Sequence, residues 1–203
     1  MNKSFLFVIP IALVVGLYVS LIFFKAAPIE LKKAIWLGEQ AQPLPVFELN
    51  HHLGGTLDNQ SIQGRWHLWF FGYTHCPDIC PDTLQVLASA LSQIQNDDIL
   101  EQLQVTFITV DPQRDTLDKM KSYVTYFDHR FHAARADLDK LKPLTKALGI
   151  YHSIEKSADE QKYEVAHSGA LILIAPDGRF SGLFSPPLDA SAIAHDVSTL
   201  IGR

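Results

Sequence analysis

His67-Leu68-Trp69-Phe70-Phe71-Gly72-Tyr73-Thr74-His75-Cys76-Pro77-Asp78-Ile79-Cys80-Pro81 begins as a short apolar run, stops at a glycine, and leads through a loop to a proline. Apolar residues without alternation, closed by Gly72, fit a strand buried on both faces. Beyond Pro81 the period changes: Leu84, Leu87, Ala88 and Leu91 recur at helical spacing and predict a helix over 81–94. The pattern repeats outward. Residues 105–110 are β-branched and bounded by Asp111-Pro112, so they read as the next strand. Helices follow over 116–127 and 138–148, with Gly149 as a C-terminal stop. A strand is expected over 150–154 and another over 171–174, which Pro176-Asp177-Gly178-Arg179 turns into a hairpin with 180–184. A helix over 190–201 closes the chain. Strand, helix, strand, helix, hairpin and helix make an α/β sandwich with a mixed central sheet.

The chemistry concentrates in the loop after the first strand, because a loop leaving the carboxyl end of a central strand is where such folds build sites. Cys76 and Cys80 are the chain's two cysteines, four positions apart, too close to serve as a folding framework. Pro81 lacks a backbone N–H and suits the first helical position, which places Cys80 near the N-cap and Cys76 in the preceding turn. The positive helix end is then expected to favour a thiolate at Cys80. Three intervening residues, rather than the two of the usual redox pair, widen the bite for one soft ion. An iron–sulfur cluster wants about four cysteines and a structural zinc four ligands, whereas two thiolates with one imidazole suit copper. The best third ligand is His167, in Tyr163-Glu164-Val165-Ala166-His167-Ser168-Gly169 just ahead of the 171–174 strand. In thioredoxin-like folds that position usually carries a cis-proline facing the cysteines; here an imidazole replaces it. His75 adjoins Cys76 but is expected to point elsewhere. His51 and His52, beside Gly54-Gly55, read as solvated turn residues rather than metal ligands, and His129, His132, His152 and His195, in polar or helical contexts, read as solvated. Asp111, Arg114 and Asp115 follow the second strand at the same edge as the cysteines, where they either orient the site, form a docking surface or pin a loop. Ser157 to Lys162 reads as a solvated hairpin tip able to gate the site.

The rest of the chain of 203 residues bounds the setting. Its 47% hydrophobic content suffices for a packed core, and a formal charge of −5 argues against a nucleic-acid partner. Residues 5–24 read FLFVIPIALVVGLYVSLIFF, with no charge. At about 1.5 Å per residue they span roughly 30 Å, the thickness of a bilayer's hydrocarbon core. The run exceeds the apolar region of a signal peptide, and Lys25 interrupts the only small-residue cleavage pattern. The expected organisation is therefore a tail over 1–4, a transmembrane anchor over 5–24, a proline-marked juxtamembrane linker over 25–45 and the folded domain over 46–203.

The segments GYTHCPDICPDTL, TVDPQRDT and YEVAHS, in this order, resemble the SCO/SenC family of copper-binding proteins. The likeness covers residues 43–202, and the anchor also fits. It implies a thioredoxin-like fold that binds Cu(I) or Cu(II) through Cys76, Cys80 and His167. It further implies a role in building the dinuclear copper centre of cytochrome c oxidase, by delivering copper or by reducing the cysteines that hold it. The family often has an acidic residue where this chain has Gln113, a change that touches no ligand.

Three functional readings follow. In the first the protein is a metallochaperone that carries copper to the copper-site subunit of the oxidase, with another copper chaperone as a possible upstream partner. In the second it is a thiol-disulfide reductase cycling Cys76 and Cys80. In the third it is a membrane-tethered peroxidase with Cys76 as the attacking thiol. His167 favours the first, since neither alternative has an evident need for it. The short N-terminus lacks an Arg- and Ser-rich transit segment, which points to a bacterial inner membrane rather than a mitochondrial one. Lys25, Lys32 and Lys33 outnumber Lys3 and by charge count favour a cytoplasmic domain. Copper-centre assembly outside the cytoplasm requires the opposite, a periplasmic domain, and that is the orientation expected here.

Overall fold

Trp66–Gly72 forms a strand, β5, in which every residue after Trp66 is buried. Its neighbour β6, Leu103–Thr109, is buried along its whole length. The two run parallel in register from Trp66 against Leu103 to Gly72 against Thr109, so both end at the same edge. Trp69, Phe70, Phe71 and Phe107 are fully buried there. Each such side chain contributes about 1.5–3 kcal/mol on leaving water, so this strand pair is the rigid base of the fold.

The computed structural model describes residues 29–155 and 163–203. The chain divides into two compact units, Met1–Glu30 and Leu31–Arg203, and the elements below belong to the second. In chain order they are β1 (Ile35–Trp36), β2 (Gln42–Pro43), β3 (Glu48–His51), β4 (Thr56–Asp58), β5, α1 (Ile79–Gln93), α2 (Asp97–Gln102), β6, α3 (Leu117–Phe127), β7 (His132–Arg135), α4 (Leu138–Ala147), β8 (His152–Glu155), β9 (Glu164–His167), β10 (Leu171–Ile174), β11 (Arg179–Phe184) and α5 (Ala190–Ile201). The main sheet has the order β1-β11-β10-β5-β6-β7-β3-β4, with β2 also on β11. β5, β6 and β7 are parallel, while β10 runs antiparallel to β5 and β11 antiparallel to β10, so the sheet is mixed as expected. β8 and β9 form a separate antiparallel pair, in which His152 stands opposite His167.

Several boundaries differ from those expected. The helix carrying the second cysteine starts at Ile79, two residues before Pro81. A proline is tolerated in the first turn because those N–H groups have no intrahelical acceptor anyway. Residues 25–45 are not all linker: β1 and β2 pair with β11. The carboxylate of Asp196 on α5 accepts the backbone N–H groups of Lys32, Lys33 and Ala34 at 2.7–2.8 Å. The strand expected over 150–154 is β8, which starts two residues later and ends one later, and it joins β9 rather than the main sheet. Gly149 does end α4, with φ +66° and a hydrogen bond from its N–H to the Lys146 carbonyl. Among the described residues no helix is long and apolar enough to cross a membrane. The segment 5–24, expected to form the anchor, and Ser157 to Lys162 lie outside the described residues.

Candidate metal centre

Gly72 is the last residue of β5, and its missing side chain makes room for the site. A Cβ there would lie 2.6 Å from Cys80 Sγ and 2.8 Å from the Phe107 ring. Beyond it the chain turns, with Cys76 N–H donating to the Tyr73 carbonyl at 3.2 Å, and enters α1. This brings Cys76 back over the first turn of the helix that holds Cys80. Both thiols are free, Cys76 half-buried and Cys80 buried. From the other side, β9 delivers His167 at its last position, with Nε2 3.3 Å from Cys80 Sγ. The two sulfurs and one imidazole nitrogen all lie within 4.8 Å of one another, and among the described residues no other set of three His, Cys, Asp or Glu side chains does so.

His167 is oriented for ligation. Its Nδ1 stands 3.2 Å from the Ser168 carbonyl, an acceptor, which fixes the proton on Nδ1 and leaves the Nε2 lone pair facing the sulfurs. Aromatic rings fence it, with Tyr73 edge-on at 5.7 Å and Phe70 at 6.0 Å between ring centres. Such walls exclude water and leave the soft donors as the site's main polar feature.

The thiolate is not where the sequence places it. Cys76, rather than Cys80, has its acidity raised: the Cys80 thiol donates to it, outweighing burial, and the N–H groups of Cys80 and Asp78 add to the effect. Burial first, and then the neighbouring Cys76, push the Cys80 thiol up. The cause of the difference is the early start of α1. Cys80 is drawn inside the helix and against the core, and Cys76 inherits the N–H-rich helix end.

The acidic and basic residues after β6 have definite partners. Asp115, fully buried, accepts from Thr74 N–H at 3.0 Å and from the hydroxyls of Thr74 and Thr109 at 2.5 and 2.6 Å, so it ties the cysteine loop to β6. Arg114 pairs with Asp111, donates to the Tyr163 carbonyl at 3.0 Å and lies 3.6 Å over the Tyr163 ring. Tyr163 in turn donates its hydroxyl to Asp111 at 2.6 Å. Tyr163 carries no sequence signal of its own beyond its place four residues before His167. His75 is outside the metal set, with its Nε2 3.1 Å from Lys119 Nζ and its Nδ1 3.9 Å from Asp115.

A family model described as SCO1/SenC matches residues 38–202. The chain belongs to the SCO1/SenC family. Relatives include a candidate copper-binding protein of Stutzerimonas stutzeri, 38% identical over 145 residues that make up 71% of this chain and 70% of the relative. The mitochondrial SCO2 homolog of Homo sapiens is 34% identical over 151 residues, 74% of this chain and 57% of that protein, so the chain spans little more than half of it. Among solved structures, ScoI of Bradyrhizobium japonicum with copper bound is 29% identical with a TM-score of 0.69, covering 77% of this chain and 98% of that one. Yeast Sco1 is 27% identical with a TM-score of 0.71, covering 79% and 98%. The SCO1/SenC match starts at residue 38, inside the segment that the sequence reading assigned to a linker.

Proposed function

We propose that this SCO1/SenC protein binds one copper ion as cargo through Cys76, Cys80 and His167 and delivers it to the copper-site subunit of cytochrome c oxidase. The observation that carries the proposal is the convergence of two sulfurs and a pre-oriented Nε2 within 4.8 Å. Two thiolates and an imidazole are soft enough to hold Cu(I) and also accept Cu(II), while three ligands leave a side open for a partner's ligand to attack. Delivery by ligand exchange needs such an incomplete shell. The role in oxidase assembly is the one the family likeness implies. Copper-centre assembly outside the cytoplasm places the domain in the periplasm, tethered by residues 5–24.

A second reading, reduction of the partner's copper-ligand cysteines, is favoured by the asymmetry of the thiols. A half-buried Cys76 thiolate suits attack on a partner disulfide, and the buried Cys80 thiol suits resolution of the mixed disulfide. The two cysteines would end as a disulfide and the partner as a dithiol. His167→Ala separates the readings in cells. Delivery predicts oxidase activity that is lost and partly restored by added copper. Normal oxidase without added copper would overturn delivery in favour of reduction. Protease added to intact spheroplasts tests the placement, since a domain that survives until the membrane is opened lies in the cytoplasm.

A further inference from the structure

Three histidines read from the sequence as separate solvated residues come together on β3 and β7, away from the cysteines. His51 ends β3, His52 follows it, and His132 opens β7. Their ring centres lie 4.7, 5.0 and 5.5 Å apart, and all three side chains are half-buried. The strand register places them. β3 pairs with β7 through His51 and Ala134, and β7 starts opposite Thr106, in the middle of β6. The cysteine loop leaves the carboxyl end of β5 at Gly72, three residues further at about 3.3 Å each and two strands away, so the two groups of side chains are independent.

We propose that His51 and His132, with His52 beside them, form a second, all-imidazole site for a borderline divalent cation, Cu(II) above all. His51 Nε2 and His132 Nδ1 face each other at 3.0 Å. Two nitrogens each about 2.0 Å from one ion, at square-planar or tetrahedral angles, stand about 2.8–3.3 Å apart, so the pair already has the bite of a chelate. The protons are placed by their neighbours. Leu53 N–H donates to His51 Nδ1 at 3.1 Å, so the proton of that ring sits on Nε2 and is shared with His132 Nδ1. Ala133 N–H donates to His52 Nδ1 at 2.7 Å, which puts the proton of that ring on Nε2 and keeps it beside the close pair. An ion takes the place of the shared proton, and His51 re-protonates at Nδ1, exchanging the exposed Leu53 N–H for water. Each ring stays neutral, which is the ligating form.

Two further observations point to a ligand. His51 and His132 line a cleft of about 450 Å³ together with His67. His67 is 3% exposed, and neither of its ring nitrogens makes a hydrogen bond of good geometry, although the Ile62 carbonyl is near enough to raise its proton affinity. A buried, unpartnered imidazole on the wall of a cleft that already holds paired imidazoles is a donor in reserve. Burial first, and then His51 and His52, lower the proton affinity of His132. Arg65 also lines the cleft. Its charge opposes a hard cation held by charge alone and is compatible with one bound by imidazole donation, for which Cu(II) stands at the top of the divalent series.

The test uses the full chain with Cys76→Ser and Cys80→Ser, which removes the thiolate centre, so its outcome does not depend on the proposed delivery role. One equivalent of Cu(II) at pH 7.5 should give a tetragonal resonance with nitrogen hyperfine structure and one bound ion per chain. Adding His132→Ala or, separately, His51→Ala should weaken binding at least tenfold. Near-UV circular dichroism identifies any variant that fails to fold, and His52→Ala, outside the close pair, should weaken binding by a smaller factor. In the parent protein, His51→Ala should lower the copper stoichiometry from two to one while the thiolate absorption remains. An adventitious ion only, with binding unchanged by all three histidine substitutions, would overturn the proposal. So would the absence of binding at copper concentrations of about 100 µM, a dissociation constant weaker than the imidazole set should give.

Discussion

Cys76 and Cys80 differ in their surroundings more than their shared motif suggests. Cys76 sits at the mouth with N–H donors from the helix start, and its folded-state acidity lies on the strong side of an ordinary thiol. Cys80 is buried against Gly72, and its acidity is weakened. Because the pKa of Cys76 is depressed, its thiolate persists as pH falls through the range where a free cysteine protonates. We expect the reduced, metal-free protein to alkylate at Cys76 almost as fast at pH 6 as at pH 8, with Cys80 unmodified. An ordinary thiol of pKa ~8.5 would slow roughly a hundredfold over that interval. Mass spectrometry of peptides after timed iodoacetamide treatment reads the difference, and a hundredfold slowing at Cys76 would contradict the assignment. The three side chains that the structure brings together were legible in the sequence, because paired cysteines at a strand's end and a histidine before another strand are local patterns. Which cysteine carries the charge was not, since it depends on how deeply α1 draws Cys80 into the core.

At the level of elements, His167 stands at the end of β9, which pairs only with β8 among the described strands. The main sheet therefore does not hold it directly. The clamp of Arg114, Asp111 and Tyr163 links the start of β9 to the loop after β6, and Arg114 lies between the rings of Tyr73 and Tyr163. A charge-assisted hydrogen bond with a stacked guanidinium is worth about 1–3 kcal/mol. Arg114→Ala should thus weaken copper binding by roughly five- to tenfold while leaving two titratable thiols. Arg114→Lys should not restore it, because an ammonium cannot stack and fork as a guanidinium does. Unchanged affinity in a folded Arg114→Ala protein would show that β9 is held by other means. The long elements β5, β6, α1, α3 and α5 were legible from periodicity. β1, β2, β4 and β7 were not: they are two to four residues long and owe their structure to neighbouring strands that offer hydrogen bonds, not to their own propensity. The helix start was misplaced for a different reason, since Pro81 marks the first turn without specifying which residue of that turn it occupies.

For the molecule as a whole, the strap before β1 is fixed by one carboxylate. Asp196 is fully buried and accepts three backbone N–H groups, with His195 Nδ1 at 2.9 Å from it. Burial works against its charge, but the N–H groups of Lys32 and Ala34, then His195 and Lys33, outweigh it and hold its pKa below the ordinary carboxylate value. A depressed pKa contributes stability that is complete above the unfolded value of about 3.9 and is lost as pH falls through the folded one. Asp196→Asn should cost about 2–3 kcal/mol at pH 7, read by urea unfolding. The gap between the two proteins should close as pH drops from about 4.5 toward 2. A gap that stays constant over that range would mean the carboxylate's charge is not what holds the strap. The central claim, a three-ligand copper centre, is tested most directly by competition titration of Cu(I) into the reduced full chain beside its His167→Ala variant, with a chelator of known affinity. Loss of the imidazole should weaken binding at the thiolate centre by more than tenfold, equivalent to about 1.4 kcal/mol, while the two thiols remain able to oxidise. Equal affinity in the two proteins would contradict the claim.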